Sequence, residues 1–352
     1  MFMLMSKFYL RWLRKLLPFE SFYNDWLDIS GMIKANGKDH IVNLDPNFFQ
    51  TLKFDDTSLK EYRIESATSC SEMLGNKPAL CFSGGVDSQA MLLAWIEAKL
   101  SFDTYILRFN NQLNIQDYDH AINFCTMNNM PYKVIDFDIL KFLSRDNYNL
   151  GIKYKSGSPH FNVHYKLVEL LREMGHTGVC FGGLTPTKNL SDWGKNFDKN
   201  AFHYVGIQDL FEIPVQGSFL SFHPKLSWAI TLLTKSFDEE HTVENSRTAK
   251  DFLRLIDIRY PLKVNGYIRS GFNVIPQPTK YTGFELVKKY YEQLTGDGWT
   301  FEKRFRYPLS RMYNTDYRTY KFNLTDSQQL ILESIYNSNF IPSLGTTPGI
   351  RD

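Results

Sequence analysis

Six consecutive residues, Ser83-Gly84-Gly85-Val86-Asp87-Ser88, bring together the groups needed to hold a phosphate. Two glycines let the main chain turn tightly and approach a ligand closely. Ser83 and Ser88 add hydroxyl donors, and Asp87 offers a hard carboxylate suited to Mg2+ riding on a polyphosphate. The segment follows the apolar run Pro78-Ala79-Leu80-Cys81-Phe82 and precedes the helical pattern from Gln89 to Lys99. A strand ending there and a helix starting there aim amide hydrogens and the positive end of the helix dipole at one point. This is not a Walker A loop, which needs a lysine directly after its last glycine.

The elements that must position this loop alternate strand and helix. Phe102 to Phe109 reads as a strand, Ile115 to Asn128 as a helix, and Tyr132 to Phe137 as a strand opened by Pro131. Asn162 to Met174 reads as a helix closed by Gly175, and Gly178 to Phe181 as a fourth buried strand. That order predicts an α/β fold with a doubly wound parallel sheet, whose ligands collect at the carboxyl ends of the strands. Asn36-Gly37, between Met32-Ile33-Lys34 and His40 to Leu44, predicts a hairpin. With Thr51 to Phe54 and Glu61 to Ile64 read as short strands, it gives residues 1–75 as a helix and a small β-rich lead-in. The α/β core spans 76–200. Helical spacing in Leu226 to Phe237, Ser246 to Ile256, Thr282 to Leu294 and Leu324 to Asn337 makes 201–352 a mostly helical substrate region.

SGGVDS resembles the PP-loop, the SGGxDS signature of the N-type ATP pyrophosphatase superfamily. The resemblance is strong from about Pro78 to Lys99 and follows the strand-helix pattern to about Lys195. It implies a PP-loop, HUP-like sheet, ATP and Mg2+ as cofactors, and cleavage of ATP to AMP and pyrophosphate with adenylation of a substrate. By the same resemblance, the amides of Gly84, Gly85 and Val86 and the hydroxyls of Ser83 and Ser88 hold the departing pyrophosphate, and Asp87 binds magnesium and is catalytic. The end of the second strand, Leu107-Arg108-Phe109-Asn110, faces the adenine, with main-chain groups pairing with the base and Phe109 flanking it. The competing reading of Phe109 is a plain core ring.

Gly182 and Gly183, after the fourth strand, permit close approach to the same cleft. Lys188 then offsets charge at the triphosphate as a second catalytic group, and Asp192 is a second metal ligand. A plain strand-ending loop explains the two glycines equally well. His160 and His164 share a helix face, yet no acid or cysteine joins them, which favours hydrogen-bonded surface or helix-start histidines over a metal site.

The long helical region and the absence of CxxC point to the asparagine synthetase-like branch, where a carboxylate or carbonyl is activated for attack by an amine or ammonia. One departure concerns the front of the chain. Asparagine synthetases begin with a glutaminase domain whose nucleophile is a cysteine at the second position; here that position is Phe2, and the lead-in is too short for such a domain. The nitrogen then comes from free ammonia, another amine or a partner subunit. The runner-up is a tRNA-modifying enzyme of the thiolation or lysidine type, with Cys125 and Cys180 as sulfur carriers. A third reading is a nucleotide-binding module without turnover.

Composition sets the outer limits. The chain has 352 residues, 43% hydrophobic and 15% aromatic, which favours an ordered core, and its net charge of +2 makes no electrostatic case for nucleic acid. Lys303, Arg304, Arg306 and Arg311 interleave with Phe305, Tyr307 and Tyr313, a text that fits either RNA stacking or snorkelling cations, and RNA is the less favoured partner. Four scattered cysteines build neither a zinc site nor a disulfide framework and suit a reducing, cytoplasmic setting. Lys7, Arg11, Arg14 and Lys15 interrupt the apolar opening segment, so no transmembrane span is expected there.

Overall fold

The computed structural model describes residues 51–154, 156, 158–183, 212–234, 260–261, 263–277, 283–296, 301 and 304–305, together with the two-residue strands Leu27–Asp28 and Ile41–Val42. Five parallel strands form the central sheet: β1 (Pro78–Cys81), β2 (Asp103–Phe109), β3 (Lys133–Phe137), β4 (Gly178–Phe181) and β5 (Val215–Gln216). Their spatial order is 3-2-1-4-5. The chain winds outward from β1 to β3, then crosses back over β1 to begin β4, so the order reverses between β1 and β4. Ligands gather at such a reversal because the connections leave the two strand ends in opposite directions and open a crevice.

The helices cover both faces. On one face α1 (Asp56–Leu74), α2 (Val86–Glu97), α3 (Ile115–Met127) and α5 (Pro224–Thr234) pack over Leu80, Ile106 and Cys180. On the other, α4 (Pro159–Glu173) and α6 (Glu285–Thr295) pack over Ala79, Tyr105, Phe109, Val179 and Phe181. Residues alternate between the two faces along each strand, as the pleat requires. With both faces buried, β1 and β4 read as unbroken apolar runs. The strand and helix boundaries of the core follow the sequence expectation to within about three residues, the ordinary uncertainty of helix ends.

The lead-in is not as expected. Glu61 to Ile64 is not a strand but part of α1, a 19-residue helix. Its buried face, Leu59, Tyr62, Arg63, Ser66, Ala67, Cys70 and Leu74, has helical spacing. Small and polar residues supply half of that face, so the apolar signal is weak. The start is marked by Asp55, whose Oδ1 accepts from the Ser58 amide at 3.0 Å while the Ser58 hydroxyl donates to its Oδ2 at 2.8 Å. Buried Arg63 earns its place by pairing with Glu97 of α2 through Nε at 2.7 Å and Nη2 at 2.9 Å. Ile41–Val42 pairs antiparallel with Leu27–Asp28, and the Met32 to Lys34 arm of the expected hairpin lies outside the described residues. The Asn36-Gly37 turn lies outside the described residues, as do the basic opening segment and the helices expected at 246–256 and 324–337. No helix among the described residues is long and apolar enough to cross a membrane.

Candidate functional site

The six-residue loop leaves β1 at the sheet's reversal point. Gly84 has φ +78, a left-handed conformation open to glycine, and a side chain there would lie 2.9 Å from both the Ala121 amide and the Asp117 carbonyl of α3. Gly85 is the N-cap of α2 and no side chain caps that helix. Among the described residues, no amide from Ser83 to Ser88 donates to a main-chain carbonyl, and Gly85 N–H makes only a long contact, to Ser83 Oγ at 3.4 Å. The donors of a helix N-terminus therefore remain uncommitted at the loop, backed by the helix dipole. Ser88 donates to the Gly85 carbonyl at 2.8 Å and sits 3.2 Å from Ser83 Oγ, so each serine fixes the rotamer of the other.

A cavity of about 370 Å³ opens beside the loop. It gathers Ser83, Gly85, Asp87, Ser88, Phe109, Gly182 and Gly183, seven of the residues singled out from the sequence. Gly84 and Val86 do not line it: Gly84 is packed on α3, and the Val86 side chain is fully buried in the core, leaving only its amide for a ligand. Gly182 and Gly183 have a packing role as well. A side chain at Gly182 would stand 2.6 Å from the Ser88 amide, and one at Gly183, where φ is +72, would overlap Ser218 Oγ at 2.1 Å. Lys188 and Asp192 lie outside the described residues.

The opposite wall is aromatic. Phe109 is buried among Phe137 and Phe284 and also lines the cavity, so the core and site readings of this ring coincide. His160 lies on Phe284 with ring centroids 3.9 Å apart, and His164 stacks on Phe181 at 4.8 Å and 25°. Both histidines line the cavity; His160 is the second residue of α4, a helix-start position as the sequence led one to expect, and His164 lies one turn further on. His164 is half-buried in the cavity wall, and the cost of desolvating an imidazolium there pushes its pKa down to about 4. It is a neutral ring at physiological pH.

The end of β2 also departs from expectation. Asn114 folds back on the strand, its Oδ1 accepting from the Phe109 amide at 2.7 Å and its Nδ2 donating to the Leu107 carbonyl at 2.8 Å. Those two main-chain groups are thus already paired and are not open to a base. Asn114 was not legible as a site residue because it lies in the short turn after the strand, where an asparagine is ordinary.

Further contacts tie residues 260–277 to the loop and to the helices beside it. The Lys263 ammonium donates to Asp87 Oδ2 and the Tyr267 hydroxyl to Asp87 Oδ1. Gln89, fully buried next to the loop, donates to the Gly84 carbonyl at 2.7 Å and to the Ile275 carbonyl at 2.8 Å. Gln277 donates to Asp117 Oδ1 at 3.0 Å. Sequence reading missed Lys263 and Tyr267. Their four-residue spacing was the available signal, blurred by Asn265 and Gly266 between them, both poor helix formers.

Among the described residues, no group of three His, Cys, Asp or Glu side chains is placed to hold a metal ion. Asp87 is a single carboxylate with a cation against it. That suits a magnesium ion arriving on a polyphosphate, which asks the protein for one or two carboxylates, and does not make a protein-only metal site.

The strand order, the reversal between β1 and β4 and the loop at that reversal settle the architecture. The fold is a doubly wound parallel α/β sheet with SGGVDS at its reversal point, the arrangement expected from the sequence. No family model matches the chain, and no curated protein matches it. Solved structures that it resembles include the U34-tRNA thiolase NcsA from Methanococcus maripaludis, at 15% identity over 76% of this chain and 81% of that one with a TM-score of 0.32. NMN synthetase from Francisella tularensis is similar at 15% identity over 78% of this chain and 99% of that one, with a TM-score of 0.33. What this site can do follows from its own geometry.

Proposed function

We propose that the chain is an ATP pyrophosphatase of the PP-loop superfamily, an enzyme that adenylates a carboxylate or carbonyl and passes it to an amine or ammonia. One observation carries this reading: among the described residues no main-chain carbonyl takes an amide of Ser83 to Ser88, and these amides stand at the start of a helix that no side chain caps, beside a cavity at the sheet's reversal point. Such a cradle stabilises the charge that builds on a departing pyrophosphate, and fixed donors of this kind need no reorganisation during reaction.

In this reading the acceptor oxygen bonds to the α-phosphorus as the bond from that phosphorus to its bridging oxygen breaks, and the electron pair leaves with the pyrophosphate. Gly85 and its neighbours hold the leaving group, and Ser83 and Ser88 complete the cradle. Asp87 holds magnesium, which supplies neutralisation of phosphate charge when bound. The nucleotide base lies against the wall of Phe109, His160, His164 and Phe181, held by ring stacking, since the Leu107 carbonyl and the Phe109 amide are taken. An amine then attacks the activated carbon and AMP departs. Lys188 and Asp192 stay in the proposal as charge-offsetting and metal-binding groups on sequence grounds.

Burial weighs against the thiolation alternative as first drawn. Cys125 and Cys180 are fully buried, and desolvation pushes the Cys125 thiol up to about 12 and that of Cys180 well above its ordinary value, so neither is poised as a sulfur-carrying thiolate. The deciding experiment incubates the protein with α-labelled ATP, Mg2+ and a metabolite extract, and follows AMP, pyrophosphate and new products by mass spectrometry. Substrate-dependent AMP with matching pyrophosphate supports the adenylating enzyme. ATP binding with no AMP under any acceptor supports the silent nucleotide module.

A further inference from the structure

Asp87 is gripped from a distant part of the chain. Lys263 and Tyr267, one helical turn apart within residues 263–269, donate to different oxygens of its carboxylate. The group is sheltered: the side chains of Asp87 and Lys263 are 13% and 16% exposed, and Tyr267 is fully buried. The segment carrying the two donors is itself anchored, by Arg63 Nη1 on the Ser270 carbonyl at 2.6 Å and by Gln89 on Ile275. Its backbone is therefore anchored, and the lysine reaches Asp87 on a four-carbon stem.

Resting on the nucleotide reading above, we propose that Lys263 and Tyr267 are positioning residues that hold Asp87 in one orientation, and that the Lys263 ammonium is the resident cation which Mg2+ must displace. The clamp thereby sets the magnesium concentration at which the site loads. A carboxylate oxygen facing an ammonium in a sheltered place has part of its charge already neutralised, so a second cation binds there only as the first retreats. Tyr267 is neutral and meets the other oxygen, so it stays and keeps the carboxylate aimed at the cavity while the exchange occurs.

The test is a thermal-shift titration of MgCl2 at fixed ATP on the full chain, comparing wild type with Lys263→Met, Lys263→Arg and Tyr267→Phe. Removing the competing charge in Lys263→Met lowers the Mg2+ concentration for half of the ATP-dependent stabilisation by roughly five-fold, the strength of a partly screened ion pair. Lys263→Arg retains the charge and brings the midpoint back to the wild-type value or above. Tyr267→Phe frees the carboxylate to rotate and raises the midpoint. A merely structural role would lower the melting temperature without ligand and leave these midpoints in place, which overturns the inference. If Lys263→Met does not fold, a lowered midpoint in Lys263→Arg, or an unmoved one in Tyr267→Phe, overturns it as well. Wild-type protein that ATP fails to stabilise at any Mg2+ concentration sinks the nucleotide reading itself, a result distinct from an unmoved midpoint in a protein that does bind.

Discussion

Gln89 treats the main chain of Ile275 as a neighbouring strand: its Oε1 accepts from the Ile275 amide at 2.6 Å, and its Nε2 donates to the Ile275 carbonyl at 2.8 Å. The same amide nitrogen donates to the Gly84 carbonyl at 2.7 Å. One buried side chain thus joins the loop, the start of α2 and a segment 186 residues further along the chain. Replacing it with leucine removes the partner of the Gly84 carbonyl and of the Ile275 amide and leaves the Ile275 carbonyl to His120 alone, each lost bond to a sheltered group costing about 1–3 kcal/mol where no water enters. Gln89→Leu is expected to lower the melting temperature by several degrees and to speed proteolytic cleavage within 272–277. Unchanged cleavage there would show that the segment is held by other means.

Gly84 tests the loop's shape. Alanine at a φ of +78, with its methyl carbon 2.9 Å from two main-chain atoms of α3, forces the loop or α3 to move. Gly84→Ala is expected to destabilise the protein by about 1–3 kcal/mol and to abolish stabilisation by ATP in the same melting experiment. Retention of full ATP stabilisation would contradict the loop geometry described above.

Asp87→Asn keeps the shape of the side chain and removes its charge. Pyrophosphate release from ATP should fall by about 100-fold or more, comparable with loss of one fixed charge-stabilising group, while circular dichroism remains native. Activity within a few-fold of wild type would remove Asp87 from the mechanism.

Two half-buried imidazoles give a pH signature. His164 and His223 both have pKa values pushed down to about 4 by desolvation, against an ordinary value near 6.5. Between those values the unfolded chain binds protons that the folded chain refuses, so stability is fully present above about pH 6.5 and drains away as pH falls toward 4. Melting temperature against pH should show that descent, and His164→Phe should flatten part of it. An identical slope in the variant would mean that His164 is not desolvated.

The cysteines offer a chemical check. All four are free and buried, and Cys70 Sγ and Cys180 Sγ sit 3.9 Å apart inside the core. Native protein should react slowly with a thiol reagent and quickly once unfolded, and Cys125→Ser should retain pyrophosphate release. Loss of that release with the fold intact would revive a sulfur-transfer reading.

The heart of the site was legible early because its signals are local. SGGVDS, the apolar runs of β1 and β4 and the helical spacing around them each depend on residues within a turn or two of one another, and together they imply a parallel sheet with the loop at its carboxyl edge. Asp55 and Ser58 show how a local signal is lost: the cap marks the start of α1, yet a buried face built from Arg63, Ser66, Ala67 and Cys70 hides the period that hydrophobicity would reveal.

What the sequence determined by itself was the kind of chemistry and the element that presents it, since backbone turning, amide donors and a carboxylate at fixed offsets follow from residue type alone. Only the tertiary structure decided who surrounds them. The path from β3 over the sheet to β4 turned His160 and His164 into cavity wall, and the return of residues 260–277 brought Lys263, Tyr267 and Ile275 onto Asp87 and Gln89. Such partners are separated by half the chain or slightly more, and no periodicity encodes them: they meet because Tyr267, Phe272 and Val274 join the same buried core as Val86 and Leu80, a consequence of packing the whole fold.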